Sequence, residues 1–325
     1  MCTAITYQSD HFYFGRTLDY DVHYGESVVF TPRHFPLPYR HLPENMAHYA
    51  ILGMAHVANG YPLYFDAMNE CGLAMAGLNF VGFAKYGKSQ PGKDNVAVFE
   101  LIPWVLSQCG NLDQARALLD KLNLTDDAFS NDLPPASLHW IIADCSGAVT
   151  VEATASGLHI YENPVGVLTN SPTFPEHLFH LNDYMQLSAG EPVNRFCTDL
   201  DLRPYSRGMG AIGLPGDLSS RSRFVRAAFG KLNSVARELK TESVHQFFHI
   251  LETVVQIRGC CQLSDGSYEV TQYTGCCDTA NRIYYYTTYE NSRIIGVDMH
   301  REDLDSSTMV SFPLEKEWAF WVQNA

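Results

Sequence analysis

Strand-like and helical patterns follow one another along this 325-residue chain in the order β, α, β, α, β, and the helical stretches come in pairs. That order constrains the fold more than any single motif does. A doubly wound parallel sheet needs single helices alternating with single strands. Paired helices between blocks of strands suit an α+β architecture instead. In it, two antiparallel sheets stack face to face and helix pairs cover the outside.

The first block opens with CTAITYQS and HFYFGRTL around a polar Ser9-Asp10 turn, a hairpin signal at the very start. SVVFTPR, YAILGMAHVA, YPLYFDAMNE and LAMAGLNF read as further strands. RHFPLPYRHLP holds Pro36, Pro38 and Pro43, so it is expected to be a surface loop. The first helical pair is VAVFELIPWVLSQCG and NLDQARALLDKLNL. Val98, Leu101, Ile102, Val105 and Cys109 form one stripe, and Pro103 argues for a kink or a later start. Asn111 is the expected N-cap of the second helix, with Gln114 three residues on and a stripe of Leu112, Ala115, Leu118, Leu119 and Leu122.

Residues 138–172 read as strands punctuated by two Ser-Gly turns, and 219–256 as a second helical region. Its stripes are Phe224, Ala228, Leu232 and Val235, then Val244, Phe247, Phe248, Leu251 and Val255, with Ser243 and Gln246 as a capping box for the second helix. YEVTQYTGC, RIYYYTTYE and RIIGVDM close the chain as strands. No linker or repeat interrupts it, so a single domain over residues 1–325 is expected.

Charge narrows the function classes. With 36 acidic and 22 basic residues the net charge is −14, which opposes binding of a phosphate backbone on a broad face. A few local arginines still suffice to bind an anionic small molecule. No stretch reaches the roughly 20 apolar residues of a membrane span, and no basic segment leads into an apolar core at the N-terminus. A cytoplasmic protein is expected, without membrane insertion. Nine cysteines, an odd number, argue against a disulfide framework. Cys260-Cys261 and Cys276-Cys277 are adjacent pairs, poorly spaced for one zinc ion, and read as small apolar fillers in strands. None of the thirteen histidines forms HExxH. His34, His41 and His48 fall in the proline-rich region and read as solvated side chains.

Cys2 is the residue with the most chemistry to offer. Removal of Met1 would leave a thiol and a free α-amine on one residue. An unperturbed α-amine has a pKa of about 7.7–8.0 and takes a proton near neutral pH, while a thiol needs only modest activation as a nucleophile. Arg16 lies on the strand that the hairpin turns back along Cys2, and Asp19 follows just beyond. The rival reading is an ordinary strand cysteine followed by a surface ion pair of little consequence.

Read together, several segments spread over the chain resemble one family in its own order. They are MCTAITY…FGRTLDYD, YPLYFDAMNECGLAMAGLNF, GVLTNSPTF, GLPGDLSSRSRFVRAAF, TQYT and YYYTTYEN. They resemble the choloylglycine hydrolases, which include conjugated bile-salt hydrolases and penicillin V acylases. The resemblance implies an N-terminal-nucleophile hydrolase with an αββα sandwich, no cofactor and no metal. It implies that Cys2 is the nucleophile, its α-amine the base, Arg16 the arginine near the thiol and Asp19 the carboxylate that orients the amine. Asn79 and Asn170 match the oxyanion-hole positions, and Arg223 matches a further arginine at the catalytic centre.

The same resemblance bears on the substrate. A conjugated bile salt is a rigid apolar steroid with an anionic tail, which calls for a concave apolar pocket with few polar contacts. Leu18, Tyr24, Phe129 and Leu133 fall where the family's pocket loops do, and Ala58 stands where some relatives carry a bulkier apolar residue. Asn79 resembles the bile-salt members, whereas penicillin V-preferring members tend to have Tyr there. LRPYSRGMGAIGLPGD resembles an extended loop associated in the family with subunit contacts, which implies a homo-oligomer, a tetramer in the family. Its Gly208-Met209-Gly210 is similar to that of members preferring glycine conjugates. Hydrolysis of conjugated bile salts in a bacterial cytoplasm is therefore expected, with penicillin V or another N-acyl amide as the alternative. A thiol redox or metal-binding protein on the same fold, using the paired cysteines, is the non-enzymatic rival.

Overall fold

Cys2–Gln8 (β1) and Phe12–Tyr20 (β2) form the expected N-terminal hairpin in the computed structural model, which describes residues 1–236, 239–318 and 322–324. The next strands are Ser27–Thr31 (β3), Ile51–Ala58 (β4), Tyr61–Asn69 (β5), Ala74–Asn79 (β6) and Asp94–Ala97 (β7). Helices Leu101–Gln108 (α1) and Leu112–Leu119 (α2) follow. Next come strands Leu122–Thr125 (β8), Leu138–Asp144 (β9), Gly147–Thr154 (β10), Gly157–Glu162 (β11) and Val167–Leu168 (β12). Helices Phe174–His180 (α3), Ser220–Asn233 (α4) and Lys240–Glu252 (α5) precede the closing strands, Val270–Asp278 (β13), Ile283–Thr288 (β14), Ile295–Asp298 (β15) and Val310–Pro313 (β16).

The large sheets are antiparallel and stack as the element order requires. One has the order β12-β1-β2-β13-β14-β15 and the other β11-β10-β9-β6-β5-β4-β3-β16, while β7 and β8 form a small parallel pair. α4 packs on β1 and α5 on β13 and β2, covering the six-stranded sheet; α1 packs on β5 and β6 and α2 on β9, covering the eight-stranded sheet. The layers are thus α, β, β, α. No described helix is long and apolar enough to cross a membrane.

Local chemistry explains where the elements depart from expectation. α1 starts only at Leu101, because Val98–Glu100 forms a 3-10 turn before Pro103 enters the first helical turn. Asn111 does cap α2, accepting from Gln114 N at 2.9 Å, but Leu122 belongs to β8 and not to the helix stripe. Leu232 and Val235 are exposed, so the buried face of α4 is Phe224, Val225, Ala227 and Ala228. Ser243 is no N-cap: α5 begins at Lys240, and the Ser243 hydroxyl donates back to the Leu239 carbonyl. Cys276 and Cys277 fill β13 as expected, whereas Cys260 is exposed and Cys261 half-buried in the loop before it. His48 is buried rather than solvated, with both ring nitrogens on backbone carbonyls. α3 and β16 carry too few residues to show a period in the sequence.

Candidate active site

The two faces of β1 hold different parts of the site. Cys2 pairs with Leu18 and Thr3 with Thr17; Arg16 pairs with Gly275 and Asp19 with Thr271. Paired residues share a face and successive ones alternate. Cys2, Leu18 and Arg16 therefore point into the gap between the sheets, and Thr3, Thr17 and Asp19 toward α4. A bulge in β13 between Thr271 and Tyr273 changes its register, so that Tyr273 joins Leu18 on the gap side.

On the gap side the thiol of Cys2 opens to a cavity of about 390 Å³, lined by Arg16, Leu18, Asn79, Tyr24, Phe65, Phe99, Phe129, Leu133 and Pro134 among others. The wall is largely aromatic: the Phe99 and Phe129 ring centroids are 5.2 Å apart and those of Tyr24 and Phe65 5.8 Å. Arg16 is buried, and its Nη1 donates to the carbonyls of Gly77 and Phe65 and its Nε to that of Thr17. Phe65 is the residue skipped in the β4–β5 register, a bulge that accompanies this contact with the guanidinium. Arg16 Nη2 is buried without a protein partner. Burial opposes the charge of Arg16, but Cys2, Tyr273, Asp66 and Asp19 outweigh it and raise its pKa above the usual guanidinium value.

On the helix side, polar groups hold the backbone of Cys2. Its nitrogen donates to Asn170 Oδ1 at 2.9 Å. Arg223, near the start of α4, donates to the same Oδ1 at 2.7 Å, to Thr3 Oγ1 at 2.7 Å and to the Cys2 carbonyl. These donors fix the amide of Asn170 with its oxygen toward Cys2, and its Nδ2 reaches the Asn79 carbonyl at 2.8 Å. Asp19 is fully buried and accepts from Thr17 Oγ1 at 3.1 Å and Thr271 Oγ1 at 2.7 Å. Burial raises its pKa, against the pull of Arg223 and the chain's amino terminus. With Met1 in place, its ammonium donates to the Asp19 carbonyl and, at 2.9 Å, to Glu269 Oε1.

Such an arrangement suits attack on a carbonyl. A buried thiol faces an apolar cavity beside a fixed cation, and the nitrogen of the same residue is held by an amide oxygen that a guanidinium also holds. The chain matches the family model described as linear amide C–N hydrolases, choloylglycine hydrolase family, over residues 2–312. It belongs to the choloylglycine hydrolase family.

Relatives bear out that placement along the whole length. A bile salt hydrolase/transferase of Lactiplantibacillus plantarum is 50% identical, with all of each chain covered. The solved structure of the C2A mutant of a conjugated bile acid hydrolase from Clostridium perfringens is 34% identical, has a TM-score of 0.92 and covers all of both chains. A penicillin V acylase structure from Agrobacterium tumefaciens, at 21% identity and a TM-score of 0.76 over 97% of this chain and 92% of its own, shows the fold alone.

The six residues that the choloylglycine hydrolase resemblance names stand around one strand end. Cys2, Arg16 and Asn79 line the cavity; Asp19, Asn170 and Arg223 lie behind Cys2. Leu18, Tyr24, Phe129 and Leu133 share the cavity wall, whereas Ala58 ends β4 opposite Tyr61 and is not on it. Phe65 and Phe99 of the wall, and Glu269 at the amino terminus, escaped sequence reasoning. Phe99 fell inside an expected helix, and the bulge at Phe65 leaves no mark in a period-two pattern.

Proposed function

We propose that this protein hydrolyses the amide bond of glycine- or taurine-conjugated bile salts, using Cys2 as nucleophile once Met1 has been removed. The observation that carries the reading is the cavity: one apolar chamber large enough for a rigid hydrocarbon body, with Cys2, Arg16 and Asn79 among its lining residues. The steroid fills the chamber and presents the amide carbonyl to the thiol. The α-amine takes the thiol proton as sulfur bonds to the carbonyl carbon, and Asn79 Nδ2 with the free hydrogen of Asn170 Nδ2 receives the oxyanion. The amine then gives its proton to the leaving nitrogen, and glycine or taurine departs. Water, activated by the same amine, cleaves the thioester and frees the bile acid.

The test compares release of glycine and taurine from bile-salt conjugates with hydrolysis of penicillin V. Conjugates are expected to be cleaved faster, and the reverse order would make penicillin V or a similar N-acyl amide the substrate. Cys2→Ala and Cys2→Ser should each abolish turnover while near-ultraviolet circular dichroism stays native. Retained activity in Cys2→Ala, or Met1 still present on the active enzyme by N-terminal sequencing, would sink the mechanism. Zinc bound stoichiometrically would favour the metal-binding rival.

The assembly is proposed to be a homotetramer in a bacterial cytoplasm. What supports the oligomer is the stretch from Val193 to Ile212, which exposes Phe196, Leu200, Leu202 and Tyr205 on one excursion of the chain.

A further inference from the structure

A second buried charge meets Arg16 from the opposite sheet. Asp66 on β5 is fully buried, and its two oxygens accept from the hydroxyls of Tyr273 and Tyr284, the latter at 2.6 Å. Both phenols belong to the sheet that carries Arg16, on β13 and β14. Asp66 arrives beside Gly275, the residue paired with Arg16: a Cβ there would stand 3.3 Å from Asp66 Oδ2 and overlap the Tyr284 hydroxyl. Two occupied acceptor oxygens suit an ionised carboxylate; burial raises the Asp66 pKa, and Arg16 with the two hydroxyls pulls it back down. Burial holds both phenols far above their ordinary pKa, so they remain donors.

Arg16 itself spends its hydrogen bonds on neutral carbonyls and keeps Nη2 unpartnered. Four groups face it electrostatically: Cys2 on β1, Asp19 on β2, Tyr273 on β13 and Asp66 on β5. Asp19 lies on the helix side of its strand, so Asp66 is the carboxylate that shares the gap with Arg16. A buried guanidinium with no counter-charge is strongly disfavoured.

We propose that Asp66 is a positioning residue for the reaction, holding the Arg16 guanidinium beside the Cys2 thiol and offsetting part of its charge. The two tyrosines fix that carboxylate between the sheets. The proposal rests on the catalytic reading of Cys2, but its first test needs no turnover, so the two readings fail separately.

The full-length protein and its Asp66→Asn variant are alkylated at Cys2 with iodoacetate, an anion, and with neutral iodoacetamide. Modification is followed by peptide mass. Removing the Asp66 charge is expected to raise the iodoacetate-to-iodoacetamide rate ratio several-fold, because the thiol then meets the uncompensated field of Arg16. An unchanged or lower ratio in a folded variant overturns the proposal. A cycle with Arg16→Met supplies the second readout. Asp66→Asn should lower kcat/KM about tenfold in the native background and less than twofold when Arg16 is already gone. Losses that multiply would show Asp66 acting independently of Arg16. Should Asp66→Asn not fold, Tyr284→Phe replaces it in the same cycle, with a several-fold loss that must vanish in the Arg16→Met background.

Discussion

Asn79 and Asn170 are both asparagines near the thiol, yet their surroundings give them different work. Asn170 is tied on three sides, by Cys2 N, by Arg223 and by the Asn79 carbonyl. The Asn79 side chain lines the cavity, where an oxyanion would form. Asn79→Ala is therefore expected to lower kcat by roughly 10²–10³, the usual loss of one oxyanion donor, with the melting temperature almost unchanged. Equal kcat for variant and native enzyme would remove Asn79 from the mechanism. At this scale the sequence marks a candidate where a side chain sits in a distinctive local string, as Cys2, Arg16, Asp19, Asn79, Asn170 and Arg223 do. It was silent on Asp66 and Glu269, whose partners lie about 200 residues or more away in the chain. A carboxylate carries no local sign of the phenol or ammonium it will meet.

Among the elements, α3 has a role out of proportion to its length. His177 on it is buried, donates from Nε2 to the Asn170 carbonyl at 2.8 Å, and leaves Nδ1 without a partner. Burial lowers its pKa from 6.5 to about 4. Between those values the unfolded chain binds a proton that the folded chain refuses. Stability therefore falls as pH drops from 6.5 toward 4 and is insensitive to this group above 6.5. The difference is on the order of 3 kcal/mol. His177→Gln keeps a donor toward Asn170 and removes the titration. Urea midpoints at pH 4.5 and pH 7 should lie closer together in the variant, and an unaltered gap would exclude His177 as the cause. Element types were legible wherever a period ran long enough, as in β1, β2, β5 and β13. Element ends were not, because the 3-10 turn before α1 and the start of α5 follow from caps and neighbours rather than from hydrophobic spacing.

For the molecule as a whole, the layered architecture was readable from the order of its patterns, since paired helices left few ways to cover two sheets. Partner strands were not. β12 leaves the hairpin series of β9–β11 to border β1 in the other sheet, and β16 returns to pair with β3. Long-range pairing of this kind depends on complementary surfaces that exist only after collapse. At the same scale, Phe196→Asp combined with Tyr205→Asp is expected to split the proposed tetramer into smaller species by multi-angle light scattering. An undiminished mass would place the subunit contact elsewhere.

The grip on Met1 also fixes an order of events during synthesis. Asn170 and Arg223, which hold Cys2, and Glu269, which holds Met1, leave the ribosome 168, 221 and 267 residues after Cys2. At about 5–20 residues per second the amino terminus stays open for a time on the order of tens of seconds. A methionine aminopeptidase has that interval in which to work. Once β13 docks, a leftover Met1 is locked between Asp19 and Glu269. Under the proposed mechanism, faster translation or scarce aminopeptidase would then yield chains that fold normally and lack the free amine of Cys2.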